Sequence, residues 1–190
     1  MPLSSCAYAP AVLAHVLRLS DTPAHPSYVV GGFLRDAVTG KVSSDIDIAV
    51  HGNTLKVARQ AAEDVGGTFV VLKKERRIAR VVMPACGAGD PADTAASVRT
   101  LDFVAFEGDI LDDLARRDFT INAMAVPSAV VAEYFEKSDR DVACIVERAI
   151  DPYGGLKDIE SGILRLVSPE AFEDDAGRLL RAIRLSAQFG

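Results

Sequence analysis

Cysteine is scarce. The 190 residues hold three, Cys6, Cys86 and Cys144, far apart along the chain. An odd count without paired spacing argues against a disulfide framework and a cysteine zinc site, and suits a reducing cytoplasm. Long apolar runs are missing too. The longest, such as 29–30 and 123–126, are short and interrupted, so no membrane span is expected. The first ten residues lack a basic stretch leading into an apolar one, so no secretory signal is expected. Positive charge is in deficit: the formal net charge is −6. That argues against broad, non-specific nucleic-acid binding and leaves room for a local basic groove. No internal repeat or low-complexity block is evident. The rest has the composition of an ordinary globular chain long enough for one buried core.

What is present centres on residues 28–50. Tyr28, Val29 and Val30 form an apolar run that turns at Gly31 and Gly32 into a short helical pattern carrying Arg35 and Asp36. Asp45 and Asp47 follow, alternating with Ile46 and Ile48. In a strand, positions i and i+2 share a face, so the two carboxylates project together while the isoleucines pack beneath. Adjacent carboxylates repel and raise one another's pKa unless solvent or a cation compensates. Oxygen donors suit Mg²⁺ or Mn²⁺, and a glycine turn lets backbone N–H groups approach a phosphate. The combination reads as a site for a metal-bound nucleoside triphosphate.

Along the chain, helical spacing predicts a helix over 10–19, a loop at 21–26, a strand at 28–30 and a helix ending at Gly40. A strand is expected over 45–50, a helix over 53–65 capped by Asn53 and closed by Gly66, and a hairpin of 68–72 and 78–83 around a charged turn at 73–77. Residues 84–97 have loop composition. A strand over 98–106 places Asp102 on the face opposite Phe103, a third carboxylate if that strand lies beside the first pair. A helix is expected over 109–117 with acids early and arginines late, then an apolar element over 118–126. Residues 127–141 carry no usable motif. A strand is expected at 144–150, a turn at 151–155, a short helix at 156–161, and a last helix from Pro169 to the chain end. Strands alternate with helices early and the last third is helical, which points to an α/β head followed by a helical segment.

Gly31-Gly32-x-x-Arg35-Asp36 followed by Asp45-x-Asp47 resembles the signature of the tRNA nucleotidyltransferase/poly(A) polymerase family, the CCA-adding enzymes of the polymerase-β superfamily. Three later stretches agree. Residues 116–123, RRDFTINA, match the family's R-R-D-F-T-x-N-A block. Residues 151–158, DPYGGLKD, match D-P-x-G-G-x-x-D. Residues 174–184, DDAGRLLRAIR, are similar to the neck motif E-D-x-x-R-x-x-R-x-x-R, with Asp174 in place of the usual Glu and Ala176-Gly177 in place of Pro-Leu.

The resemblance implies a polymerase-β-like nucleotidyltransferase head, a mixed sheet flanked by helices, over 1–150. It implies the start of an all-helical neck over 151–190. The implied activity is template-independent transfer of CMP, AMP or both from CTP and ATP to a tRNA 3′ end, in the cytoplasm. Asp45 and Asp47 would hold two divalent metals, Mg²⁺ or Mn²⁺, with Asp102 as the further catalytic carboxylate. Gly31, Gly32 and Arg35 would meet the incoming nucleotide, and Arg116, Arg117, Asp118 and Asn122 would line its pocket. Asp175 and Arg178 would read the base edge, with Arg181 and Arg184 contacting or supporting the nucleotide. On a helical wheel Asp175, Arg178, Arg181 and Arg184 form one polar stripe, while Leu179, Leu180, Ile183 and Ala187 form the opposite, packing face. Family members usually continue into helices that grip the tRNA, so an apolar neck face would be open to a second copy of the chain. A poly(A) polymerase shares every one of these motifs. The alternative from another class is a non-catalytic nucleotide- or RNA-binding module.

Overall fold

The computed structural model of the chain describes residues 10–189, apart from 24, 42 and 85–97. Nearly all of the expected loop at 84–97 thus lies outside the described residues. Six strands form one sheet: β1 (Ser27–Val30), β2 (Asp45–His51), β3 (Thr68–Lys73), β4 (Ile78–Val82), β5 (Thr100–Phe106) and β6 (Ala125–Pro127). Their order is β3-β4-β5-β2-β1-β6. β2 and β5 run parallel and the other neighbours antiparallel, so the sheet is mixed. The helices are α1 (Pro10–Ser20), α2 (Gly32–Val38), α3 (Thr54–Val65), α4 (Ile110–Ala115), α5 (Ser128–Glu136), α6 (Ala143–Val146), α7 (Gly155–Ser161), α8 (Ala171–Asp174) and α9 (Gly177–Phe189). A 3₁₀ turn spans Thr120–Asn122.

Strand alternation divides the sheet into two unlike faces. Val29, Ile46, Ile48, Val50, Ala79, Val81, Leu101 and Phe103 are all buried, in one core with α1, α3 and α5. The opposite face is apolar only at one end, where Val30, Ala49, Phe106 and Ala125 pack under Ile110 and Leu114 of α4. At its other end it carries Asp45, Asp47, Asp102 and Arg80. The local signals hold where side chains settle the ends. Asn53 accepts from the Lys56 N–H at 3.2 Å to start α3, and Gly66 at φ 66° stops it in the left-handed region. Asp109 caps α4 through the Leu111 N–H.

The structure departs from three sequence expectations and adds one helix where no motif was read. The expected strand at 144–150 is helix α6: Asp141 accepts from the Ala143 N–H at 2.9 Å and so caps a helical turn. Only Ile150 bridges to the sheet, at Ala125. Residues 128–136, which carry no motif, form α5, whose buried residues pack on α1. The apolar element over 118–126 splits into a bridge at Phe119, the 3₁₀ turn and β6. The last helix is broken. Asp175 is extended (φ −154°, ψ 103°), and its carboxylate accepts from the Gly177 N–H at 2.8 Å. A short side chain that captures a backbone N–H two residues on ends one helix and starts the next.

α9 also packs on the side that helical-wheel reasoning left polar. Ala182 and Leu185 join Phe119, Ile121, Leu164, Leu166 and Phe172 in a small apolar cluster. Leu179, Leu180 and Ile183 stay exposed, at 50, 72 and 68%. No helix among the described residues is long and apolar enough to cross a membrane.

One close approach fixes α7 against the 3₁₀ turn. Gly155 is buried, and a Cβ there would run into the carbonyl oxygen of Thr120 and within 3.1 Å of Met124 Cγ. Asp158, one turn on, accepts from Thr120 Oγ1 at 2.6 Å. Gly155→Ala is expected to lower unfolding stability by about 1–3 kcal/mol in urea titrations. Lys157→Ala, on the exposed side of the same helix, should stay within about 0.5 kcal/mol of the parent chain.

Candidate active site

The open end of the sheet is the floor of a polar cavity of about 770 Å³. Parallel register sets Asp47 beside Asp102, and antiparallel register sets Asp102 beside Arg80. Asp45 lies two residues before Asp47 on the same face and pairs in register with Thr100. Thus the expected adjacency of Asp102 to the Asp45–Asp47 pair is found. All three acidic side chains line the cavity.

Their surroundings differ. Asp45 is exposed and accepts from Ser44 Oγ at 2.8 Å and from Thr100 Oγ1. Asp102 is half-buried and held in a two-bond fork by Arg80, Nε and Nη2 donating at 2.7 and 2.6 Å. Asp47 is half-buried beside Gly31. A Cβ at Gly31 would stand 3.1 Å from Asp47 Oδ2 and 3.2 Å from Arg117 Nη1, so the turn (φ 74°) brings backbone, carboxylate and guanidinium together. That close approach requires glycine on both steric and conformational grounds. Burial pushes the Asp47 carboxyl up to about 6; Arg117 opposes the rise, and the charges of Asp102 and Asp45 add to it.

The donor set is the chemistry test for a divalent cation. Asp45 and Asp47 offer hard oxygen ligands of the kind Mg²⁺ and Mn²⁺ take, and the charge they crowd together calls for a cation. Among the described residues, no three metal-ligating side chains converge on one point. Two carboxylates fit; Asp102 is turned to Arg80.

The cavity wall is built from the other predicted residues. Arg117 is half-buried and braced by Asp113, with Nη2 at 2.9 Å and Nε at 3.2 Å from Oδ2. Arg116 is exposed and farther from Asp113, at 3.6 Å. Of the two arginines, Arg117 is therefore the one set against Asp47 and Gly31. Arg35 and Asp118 are buried. Arg35 donates to Asp36 Oδ1 at 3.0 and 2.8 Å and to Asn122 Oδ1 at 2.7 Å. Asn122 Nδ2 donates to Asp118 Oδ1 at 3.1 Å, and Arg181 Nη1 donates to Asp118 Oδ2 at 2.7 Å. A continuous chain, Asp36–Arg35–Asn122–Asp118–Arg181, joins the helix after the glycine turn to α9. Burial alone would raise the Asp118 pKa, but bonds from Arg181, Asn122 and the Phe119 N–H hold it below the usual carboxylate value.

Arg178, Arg181 and Arg184 of α9 all line the cavity, together with Gly31, Gly32, Arg35, Arg116, Arg117, Asp118 and Asn122. Of the sequence-predicted residues, Asp175 alone is absent from this lining. It is exposed; its carboxylate accepts from the Gly177 N–H and not from the Arg178 guanidinium, while its carbonyl accepts from the Arg178 N–H at 3.0 Å. Arg178 donates instead to the carbonyls of Ala171 at 3.0 Å and Arg116 at 2.7 Å. Sequence reasoning missed Arg80, Asp113 and Asp36. Asp36 and Asp113 stand within stretches already singled out. Arg80 carries no local signal, because its place depends on the register of two strands, β4 and β5, that are far apart in sequence.

Known proteins resemble this chain over most of its length. The head domain of poly A polymerases matches residues 27–165. The chain is 36% identical over 162 residues to the CC-adding tRNA nucleotidyltransferase of Geobacter sulfurreducens, covering 85% of this chain and 31% of the relative. Its fold is similar to that of the Thermotoga maritima CCA-adding enzyme complexed with tRNA (TM-score 0.67, 31% identity, 91% of this chain and 36% of the other). It is similar also to a CCA-adding enzyme in complex with ATP (TM-score 0.70, 30% identity, 94% of this chain and 38% of the other). The chain thus spans about a third of the length of these proteins.

The raised Asp47 pKa has a sign that can be measured. In the unfolded chain Asp47 ionises near 3.8, in the fold near 6. The folded state therefore holds the proton more tightly, and stability is lost as pH rises from about 4 to about 6. In chelator-treated protein, Asp47→Asn should raise Tm by about 2–6 °C at pH 7.5 and by little at pH 4. A parent and variant with equal Tm at pH 7.5 would show that the carboxylate is not destabilised by burial.

Proposed function

Residues 27–165 place this chain in the poly A polymerase head-domain family, and from that premise we propose that it is the nucleotide-transferring head of a template-independent RNA nucleotidyltransferase, adding CMP, AMP or both to the 3′ end of tRNA. The observation that carries this reading is the facing of two charge sets across one cavity. Asp45 and Asp47 lie on its floor, and Arg117, Arg181 and Arg184 line its walls. An anionic triphosphate suits the arginines, and the carboxylates suit the cations that accompany it. The Geobacter relative, named CC-adding, and the Thermotoga neighbour, bound to tRNA, support a tRNA end as acceptor.

Divalent cations held by Asp45 and Asp47, when bound, would lower the pKa of the attacking 3′-hydroxyl and neutralise the departing pyrophosphate. The protein's own part is positioning and charge. Arg117, braced by Asp113, presents a fixed guanidinium beside Asp47 for the triphosphate. Gly31 leaves open the space between the Asp47 carboxylate and the Arg117 guanidinium. Arg35 and Asn122, tied to each other and to two acids, hold the wall rigid. Arg178 and Asp175 are the pair we assign to base selection. To reach a base edge, Arg178 exchanges two carbonyl partners for it, and Asp175 exchanges the Gly177 N–H. Nucleotidyl transfer depends mainly on such positioning and charge stabilisation, so small displacements here have large effects on rate.

A poly(A) polymerase remains the nearest alternative, since it shares the site; a nucleotide- or RNA-binding module without transfer is the alternative from another class. Incubation with Mg²⁺, single labelled nucleotides and tRNAs ending before CCA, after CC, or complete separates them. Long adenosine tails would favour the polymerase. Nucleotide binding without incorporation would leave the binding module. Asp47→Ala should reduce transfer by at least about 10³-fold with the far-UV spectrum unchanged; retained transfer would remove Asp47 from the reaction. Arg178→Ala should compress the preference for CTP and ATP over UTP and GTP by about tenfold or more. An unchanged preference would exclude it from base selection.

A further inference from the structure

Arg80 stands at the end of a row that crosses three strands. Antiparallel pairing of β4 with β5 sets it opposite Asp102, and parallel pairing of β5 with β2 sets Asp102 opposite Asp47. Cation and anions share one sheet face and one cavity. The guanidinium meets Asp102 with both oxygens engaged, at 2.7 and 2.6 Å, the geometry of a strong bidentate pair. Asp102 keeps only a small part of its side chain exposed, 16%, whereas Arg80 keeps 40%. The carboxylate is therefore fixed in the sheet, and the arginine can swing away into solvent.

Three carboxylates on neighbouring positions of one face repel strongly unless positive charge is supplied. Two of them have other neighbours: Asp45 accepts from the hydroxyls of Ser44 and Thr100, and Asp47 feels the charge of Arg117 across Gly31. Asp102 is engaged by Arg80. The fork also turns the Asp102 oxygens along the row toward β4. That agrees with the absence, among the described residues, of three metal-ligating groups converging on one point.

We propose that Arg80 is a built-in counter-cation of the carboxylate row: it holds Asp102 back from the divalent-cation site, and cation binding proceeds in competition with the Arg80–Asp102 fork. This rests on the reading of Asp45 and Asp47 as cation ligands. Arg80 is then a positioning residue, acting through Asp102. It keeps the row folded and soluble without metal and sets the cation concentration at which the third carboxylate becomes available. The two states lie close in free energy, since in each of them positive charge stands against the carboxylates. When the fork opens, the released guanidinium faces the cavity that we assign to the triphosphate.

The test needs two readouts. The first is Mn²⁺ binding without nucleotide, followed by the spin-resonance signal of free Mn²⁺, for the parent chain, Arg80→Met, Arg80→Lys and Asp47→Asn. Arg80→Met should bind Mn²⁺ about tenfold more tightly than the parent, because the opposing charge and its fork are gone. Arg80→Lys keeps a charge but cannot form the fork; it should bind about threefold more tightly, and it carries the test if the methionine variant does not fold. The second readout is the Arg80 Nε–H resonance of the parent chain, assigned by its loss in Arg80→Lys. Saturating Mg²⁺ should move it to the position of a solvent-exposed arginine. Parent-like or weaker Mn²⁺ binding in both arginine variants would overturn the proposal. So would an Arg80 resonance that stays in place at saturating Mg²⁺, even with tighter binding, since the fork would then be intact in the loaded state. Asp47→Asn separates the two levels. Loss of Mn²⁺ binding there with no effect of Arg80 removes this inference alone. Parent-like binding in Asp47→Asn removes the cation site itself, and the inference with it.

Discussion

The buried chain Asp36–Arg35–Asn122–Asp118–Arg181 is the constraint on which the arrangement of this molecule depends. Two of its carboxylates and one of its guanidiniums are nearly removed from solvent. A buried charge left without a partner costs several kcal/mol, far more than a satisfied pair contributes. Each member is therefore held by the next, and the elements that carry them cannot drift apart. α2 carries Asp36 and Arg35, the 3₁₀ turn carries Asn122, and α9 carries Arg181. Three segments far apart in sequence are thus brought to one wall. The apolar cluster of Phe119, Ile121 and Leu185 lies against the same junction and adds non-directional attraction to the directional bonds. Lys41, on the loop after α2, reaches the carbonyl of Gln188 at 3.0 Å and closes the far end of the same contact.

The two faces of the central strands answer opposite demands. Ile46 and Ile48 are fully buried and anchor β2 in the main core. Asp45 and Asp47, on alternate positions, are pushed toward the cavity by that anchoring. A slip of one residue in the β2–β5 register would bury the acids and expose the isoleucines, so the core enforces the register that aligns Asp47 with Asp102. The acids in turn destabilise the fold: the raised Asp47 pKa measures how unwelcome its charge is in that position. Stability of the sheet is drawn from one face and spent in function at the other.

Much of this was legible in the sequence, for identifiable reasons. The carboxylate pair, the glycine turn and the arginine-rich stretches carry their spacing within a few residues, where strand and helix periodicity act directly. The placement of Asp102 beside Asp47 was legible only as a condition, since periodicity fixes a face but not a neighbour. Arg80 was not legible at all, because its partner is set by the antiparallel register of β4 with β5, which no local pattern fixes. The strand expected at 144–150 gives way to α6 because the Asp141 carboxylate satisfies the Ala143 N–H directly. The continuous neck helix failed for the same reason at Asp175. In both places a short acidic side chain competing for backbone N–H groups overrode the apolar pattern.

That break between α8 and α9 changes what Asp175 and Arg178 can do. On one unbroken helix they would sit three residues apart on one stripe and could pair with each other. With Asp175 extended ahead of α9, its carboxylate is occupied by the Gly177 N–H, and Arg178 is left to reach Ala171 and Arg116. The bond to the Arg116 carbonyl runs from α9 to the segment that also carries Arg117 and Asp118. It is charge-assisted but ends on a neutral carbonyl near solvent, so it is weaker than the Arg181–Asp118 pair beside it, in which both partners are charged and the acid is buried. Of the two arginines that tie α9 to the head, Arg178 can therefore turn to a ligand at small cost while Arg181 keeps the helix in place. A site that must accept a new partner without losing its frame needs that inequality, and here it follows from which of two neighbouring arginines meets a buried carboxylate.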